Sequence, residues 1–126
     1  MKVEKGRLLY EGKAKQLFET DDENILFVSY KDSATAFNGE KKEDIDGKGI
    51  LNNKITTILF EQLKSKGIES HFVEQISDNE QLVRKVDIIP LEVVVRNIAA
   101  GSLSKRLGIK EGTPLKHTIV EFYYKD

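Results

Sequence analysis

The sequence predicts an α+β fold, an antiparallel β-sheet with one helix packed against it. Three observations carry that expectation. Short β-branched and aromatic runs separated by tight polar turns fill the first third of the chain. One long run, Ile50 to Lys66, repeats its apolar residues at helical spacing. Segments of β type then return and continue to the last residues.

Taken in order, Arg7 to Glu11 is a short strand that Gly12 breaks, and Ala14 to Thr20 follows with Leu17 and Phe18 as its apolar members. Asp21 to Asn24 is a polar turn, and Ile25 to Tyr30 (ILFVSY) has the composition of a strand. Three short strands with tight turns predict an antiparallel meander. Lys31 to Gly49 holds three glycines, little apolar content and the charged run Glu40 to Asp46, so it reads as a long loop. In the helix that follows, Leu51, Ile55, Ile58, Leu59 and Leu63 share one face. Lys64 and Lys66 suit its C-terminal dipole, and Gly67 suits its stop. Ser70 to Ile76 and Gln81 to Val86 are strands joined by the turn signal SDNE. Ile88 to Val95 is a strand with Pro90 at an edge or bend. Asn97 to Gly101 is a small-residue loop. Ser102 to Leu107 is a short helix with Ser102 as N-cap and Gly108 as stop. Gly112-Thr113-Pro114 is a turn, and Thr118 to Tyr124 is the last strand.

Composition bounds the function. The 126 residues carry 20 Lys+Arg against 21 Asp+Glu, and this near-zero balance removes the simplest case for nucleic-acid binding. No cysteine is present, which excludes disulfides, thiolate metal sites and a cysteine nucleophile and suits a cytoplasmic protein. The apolar runs fall far short of the ~20 residues of a membrane span, and the N-terminus shows no apolar signal region. His71 and His117 are isolated, so zinc is not expected, and no serine lies in a G-x-S-x-G elbow. Tyr123 and Tyr124 read as core and edge aromatics.

Three segments have residues suited to anion chemistry, and each has a plainer reading. In Glu11-Gly12-Lys13-Ala14-Lys15, a glycine turn admits an anion to backbone N–H groups, and lysines two apart on a strand share a face; a hairpin turn with solvated lysines accounts for the same residues. In Arg96 to Leu103, strand, small-residue loop and helix start follow one another, with Arg96 and Ser102 placed to hold a phosphate; a capped helix and a surface ion pair account for these too. In Gly47 to Lys54, asparagines near a helix start suit a ligand, whereas Asp46 or a neighbour also suits simple capping. The run Glu40 to Asp46 suits either magnesium or a solvated loop.

Together the blocks LLYEGKAK, DSATAFNGEKK, GKGILNNK, VRKVDIIPLEVVVRNIAAGSLSKRLG and FYYKD resemble the SAICAR synthetase family nearly end to end. The resemblance implies an ATP-dependent ligase of purine synthesis. Such an enzyme joins L-aspartate to the carboxylate of carboxyaminoimidazole ribotide (CAIR) through an acyl phosphate, with Mg2+ neutralising phosphate charge. It implies that Gly12, Lys13, Ala14 and Lys15 lie over the ATP phosphates. It implies that the backbone of Arg84, Lys85, Val86 and Asp87 meets adenine, with Glu92 just beyond and Lys125 near the nucleotide. Arg96, Gly101 and Ser102 match the segment that holds the ribotide 5′-phosphate, and Asn38 and Gly39 match a loop near the substrates. Ile98 departs from members with a basic residue there and is given no role.

The implied organisation is an N-terminal ATP-binding lobe over residues 1–96, resembling a kinase small lobe, and the start of a ribotide-binding lobe over 97–126. Family members run about as long again, and their remaining part carries the acidic residues for magnesium. A truncated chain, inactive by itself, is therefore expected, with no metal site of its own and with pairing into a homodimer as in other members. The competing expectations are a non-catalytic nucleotide-binding module and a small β-rich interaction domain.

Overall fold

The computed structural model describes residues 2–36 and 41–125, so the Asn38 and Gly39 expectation lies outside the described residues. The chain divides into two compact units, Met1–Val86 and Asp87–Asp126. The strand that contains Arg96, Leu91–Ile98, lies wholly in the second unit.

The first unit is built on a five-stranded antiparallel sheet of order β1-β2-β3-β7-β6. Its strands are β1 (Lys5–Glu11), β2 (Lys15–Thr20), β3 (Ile25–Tyr30), β6 (Phe72–Gln75) and β7 (Glu80–Arg84). The expected meander is therefore present, with β3 at the centre between β2 and β7. Alternation along β3 explains its burial. Phe27 pairs with Phe18 and Leu82, and Ile25, Phe27 and Leu82 form a core packed by Val3, Phe18 and Val73. Phe18 and Phe27 meet edge to face, with centroids 6.1 Å apart. Val28, Gln81 and Val83, one register step away, are buried on the opposite face.

That opposite face receives α1 (Lys48–Ser65), whose Phe60 ring stacks on Phe72, the β6 partner of Val83. The contact side of α1 differs from what the apolar periodicity suggests. Gly49, Asn53 and Thr57, four apart, are its buried residues. Leu51, Ile55, Ile58 and Leu59 are all more than half exposed. The reason is close approach. A Cβ on Gly49 would sit 2.8 Å from the Tyr30 carbonyl oxygen, so only a glycine lets the helix start lie against β3. Asn53 Nδ2 then donates to the carbonyls of Ser77, Asp78 and Glu80 at 2.9, 3.0 and 3.2 Å, tying the helix to the turn between β6 and β7.

Two local expectations are corrected here. Lys31 to Gly49 is not a loop throughout: β4 (Ser33–Ala36) and β5 (Lys41–Asp44) pair as an antiparallel ribbon. Its charged β5 residues are all exposed, so that strand is solvated on both faces and shows no apolar alternation to signal it. Nor does Asp46 cap α1. Gly47 occupies the N-cap position with φ 83°, and Asp32 Oδ1, from before the hairpin, accepts the Gly49 N–H at 2.8 Å. Gly67, at φ 80°, follows the helix end as expected.

The second unit is a two-stranded antiparallel ribbon, β8 (Leu91–Ile98) with β9 (Pro114–Tyr124), and the short helix α2 (Gly101–Leu107) between them in sequence. The β8 strand begins after Pro90 rather than at Ile88, because Pro90 has no N–H to give a ladder. It also runs through Asn97 and Ile98, where the small-residue composition predicts a loop. Ser102 is not the N-cap of α2; Ala100 holds that position and Ser102 lies inside the first turn. Gly108, at φ 65°, does stop the helix. One ribbon face carries the pairs Leu91–Tyr124, Val93–Phe122 and Val95–Val120, all exposed. Among the described residues no helix is long and apolar enough to cross a membrane.

Candidate functional site

In the first unit the turn after β1 is closed by Gly12 N–H donating to the Lys15 carbonyl at 2.8 Å. A Cβ at Gly12 would come within 3.0 Å of the Tyr10 hydroxyl, so the missing side chain keeps the turn open beside that ring. A cavity of about 660 Å³ opens there, lined by Tyr10, Glu11, Gly12, Lys13, Lys31, Ser33, Thr35, Lys42, Glu43 and Asp44. The β1–β2 turn supplies one wall and the β4–β5 hairpin the other.

Lys13 lies in the turn and Lys15 in the strand, so the argument that both share a strand face does not apply. Lys13 lines the cavity; Lys15 is not among the lining residues and instead stands near enough to His71 to influence it. Burial, and secondarily the Lys15 charge, holds the His71 pKa below the ordinary histidine value. Sequence reasoning missed Lys31 and Lys42 as companions of Lys13. The Lys31 ammonium sits 2.8 Å from Glu11 Oε2 and 3.3 Å from the Gly12 carbonyl, which braces the turn. It also pulls the Glu11 carboxyl below its ordinary pKa. Three ammonium groups against three carboxylates leave the rim mixed in sign, with hydroxyls from Ser33 and Thr35 between them. A signal for Lys42 was present in the charged run, but only pairing into a hairpin carries that run to the turn.

Of the segment from Arg84 to Asp87, Arg84 N–H donates to the His71 carbonyl and Lys85 N–H to the Asn24 carbonyl. Successive side chains diverge: Arg84 lines a cavity with Phe60 and Phe72, and Lys85 one with Leu9 and Asp22. Val86 and Asp87 are exposed, and the boundary between the two units falls between them.

In the second unit, two residues far apart in sequence meet. Lys125 Nζ lies 3.2 Å from Glu92 Oε2, and both line an apolar cavity of about 480 Å³ with Ile88, Ile89, Pro90 and Leu91. Arg96 reaches along the small-residue segment, where its Nη1 donates to the Ala100 carbonyl at 3.1 Å. Gly101 and Ser102 follow, both exposed, with Gly101 at φ 56°. Ala99 and Leu103 are buried, and Ala99 is tied by backbone hydrogen bonds to Gly112 and Thr113. Sequence reasoning missed Glu121, Tyr123 and Arg106. Arg106 Nη2 donates to both Glu121 oxygens at 2.9 and 3.0 Å and lies 2.8 Å from the Tyr123 hydroxyl, which itself bonds to Glu121 Oε2. The Tyr123 and Arg106 hydrogen bonds hold the Glu121 carboxyl below its ordinary pKa.

Among the described residues no three histidine, aspartate or glutamate side chains converge as a metal site.

The SAICAR synthetase family model matches residues 8–126. The chain is 73% identical, over 97% of its length, to the phosphoribosylaminoimidazole-succinocarboxamide synthase of Lysinibacillus sphaericus, and covers 52% of that protein. Among solved structures, the synthase of Ehrlichia chaffeensis superposes with a TM-score of 0.90 at 50% identity, over 95% of this chain and 51% of the other. A SAICAR synthetase in complex with ADP superposes with a TM-score of 0.88 at 48% identity, over 95% of this chain and 51% of the other. The chain thus spans about half the length of the relatives it matches.

Proposed function

The chain belongs to the SAICAR synthetase family, and from that premise we propose that it is the nucleotide-handling half of an ATP-dependent ligase that joins L-aspartate to CAIR. The observation that carries this reading is the close superposition on the ADP-complexed relative, with a TM-score of 0.88 over 95% of this chain.

A carboxylate is a poor electrophile. In the proposed reaction the CAIR carboxylate oxygen attacks the ATP γ-phosphorus, ADP leaves, and an acyl phosphate forms. The aspartate amine then attacks the acyl carbon, loses a proton, and expels phosphate to leave the amide. Such chemistry depends on alignment and on neutralising phosphate charge. Gly12 gives the phosphates access to the turn backbone, and Lys13 supplies positive charge, with Ala14 and Lys15 continuing the segment. Lys31 and Lys42 add charge from the same cavity. The backbone of Arg84, Lys85, Val86 and Asp87 is assigned to adenine, and the Glu92–Lys125 pair to the nucleotide edge. Arg96, Gly101 and Ser102 are assigned to the ribotide phosphate, for which a planar guanidinium is well shaped. Magnesium is assigned no ligand here, and no step is routed through it. The acidic ligands that the family scheme calls for are assigned to the length of the relatives that this chain does not span.

Calorimetric titration tests the reading. An ATP analogue and CAIR are each expected to bind, Lys13→Ala to weaken the first and Arg96→Ala the second. With CAIR, aspartate and ATP together, the 126-residue chain is expected to give little or no SAICAR. Binding of the analogue without CAIR leaves the non-catalytic nucleotide module as the better reading. Binding of neither ligand overturns both.

A further inference from the structure

We infer that Glu121 is a positioning residue for the Arg96 anion site. The inference rests on the proposed reading of Arg96 as a phosphate contact and adds a residue to which that reading gives no role.

The geometry comes from ribbon register. Arg96 pairs with Ile119, and Glu121 lies two residues further along β9, so both side chains project from the same face. Glu121 Oε2 stands 4.0 Å from Arg96 Nε, close enough for charge attraction but too far for a hydrogen bond. Arg96 Nε is itself buried and has no hydrogen-bond partner among the described residues. The guanidinium is therefore held at two places by different means. Its Nη1 is tied to the Ala100 carbonyl, and its Nε edge faces a carboxylate.

The carboxylate is in turn hydrogen-bonded from two sides. Arg106 reaches it from α2, and Tyr123 reaches it from the same strand. The Glu121 side chain is only 15% exposed, against 50% for Arg106. Arg106 also lies over the Tyr123 ring, 5.8 Å from its centroid. A long, flexible arginine thus faces a fixed negative group on one side and a fixed carbonyl on the other. What remains unconstrained is the guanidinium edge that those two contacts do not use. Fixing it in advance saves a phosphate ligand the cost of ordering the side chain.

Electrostatics alone would work the other way. The negative charge of Glu121 repels a phosphate at Arg96, so its removal would tighten binding if it had no orienting role. The two roles therefore predict opposite signs. The test uses the 126-residue chain with ribose 5-phosphate as the probe, and nitrogen-15 NMR of the Arg96 Nε–H as a second readout. Glu121→Gln is expected to weaken ribose 5-phosphate binding by about tenfold and to move the Arg96 Nε–H signal toward that of a free arginine. Glu121→Asp keeps the charge but shortens the reach, and should weaken binding less. Backbone signals of Ala99 and Gly112, which bond to each other across the loop, report whether the unit stays folded in each variant. Should Glu121→Gln unfold the unit, Glu121→Asp carries the test by the same two readouts. Unchanged or tighter binding, or an unmoved Arg96 signal in a folded variant, overturns the inference. Failure of the underlying reading is separate: there, Arg96→Ala leaves ribose 5-phosphate binding as it was, or the unsubstituted chain binds none. In the latter case the Arg96 signal alone decides whether Glu121 orients it.

Discussion

Within residues 1–86 a sheet buries side chains on both faces, whereas within 87–126 the ribbon strands leave one face exposed and the other no more than half-buried. Among the described residues, the first unit encloses the apolar side chains of Ile25, Phe27, Val28, Leu82 and Val83, and the second those of Ala99 and Leu103. The difference follows from strand number. A central strand such as β3 has neighbours on either side, so its alternate residues can be covered above and below. A two-stranded ribbon has no central strand and is marginal in water unless something packs on it. The apolar pairs Leu91–Tyr124, Val93–Phe122 and Val95–Val120 have their own order but no cover among the described residues. Stability and candidate chemistry are thus distributed unequally. The lysine turn rests on a folded sheet, and the arginine segment rests on a few polar contacts.

The comparison breaks most visibly at Leu82, which is fully buried. Leu82→Ala is expected to cost the first unit about 3 kcal/mol, read from denaturant unfolding. Amide exchange in β8 and β9 should be unchanged by it; a parallel loss of protection there would show that the two units share one stability. Gly49→Ala is next. The added methyl meets backbone at Tyr30 and the Asp32 carboxylate, so the helix must move off β3, and a loss of about 2 kcal/mol is expected. Asp32→Ala removes only the cap on the Gly49 N–H and should cost about 1 kcal/mol. If Gly49→Ala proves no worse than Asp32→Ala, the helix is not held by close approach.

Much of the first unit was legible in the sequence because its strands obey simple rules. Ile25 to Tyr30 matches β3 residue for residue, since a β-branched and aromatic run has few other places to go. The α1 boundaries were legible to within two residues, but its orientation was not. An apolar stripe marks a face that avoids water only when something covers it. Here the sheet is met by Gly49, Asn53 and Thr57, whose smallness and hydrogen bonds matter more than hydropathy. The β4–β5 hairpin escaped detection because a strand exposed on both faces has no period to read. At the candidate sites, local motifs such as Gly12-Lys13 and Arg96 were visible in the sequence. Their companions Lys31, Lys42, Arg106 and Glu121 were not, because only pairing of distant segments brings them near. The Glu92–Lys125 contact lies between these cases: resemblance named both residues, and ribbon register brings them together.

The smallest expected effect concerns acid. In the first unit two groups titrate below their ordinary values for different reasons: Glu11 because Lys31 bonds to its charged form, and His71 because burial opposes its charged form. Both have the same sign in stability. A carboxyl depressed in the folded state binds fewer protons there than when unfolded, so its contribution is complete above the ordinary carboxylate range and is lost as pH falls through the depressed value. A histidine depressed by burial contributes fully above its ordinary value and loses that contribution as pH falls below it. Acidification should therefore weaken the first unit in two stages, the His71 stage first. Lys31→Ala removes only the second cause, returning Glu11 toward ordinary carboxylate behaviour, which carbon-13 NMR of its carboxyl reads directly. The His71 titration, followed by its ring protons, should stay where it was, because Lys15 and not Lys31 is the charge acting on it. If both titrations move together, the lysine turn and the helix side of the sheet form one electrostatic unit, and the brace at Gly12 reaches further than its hydrogen bonds.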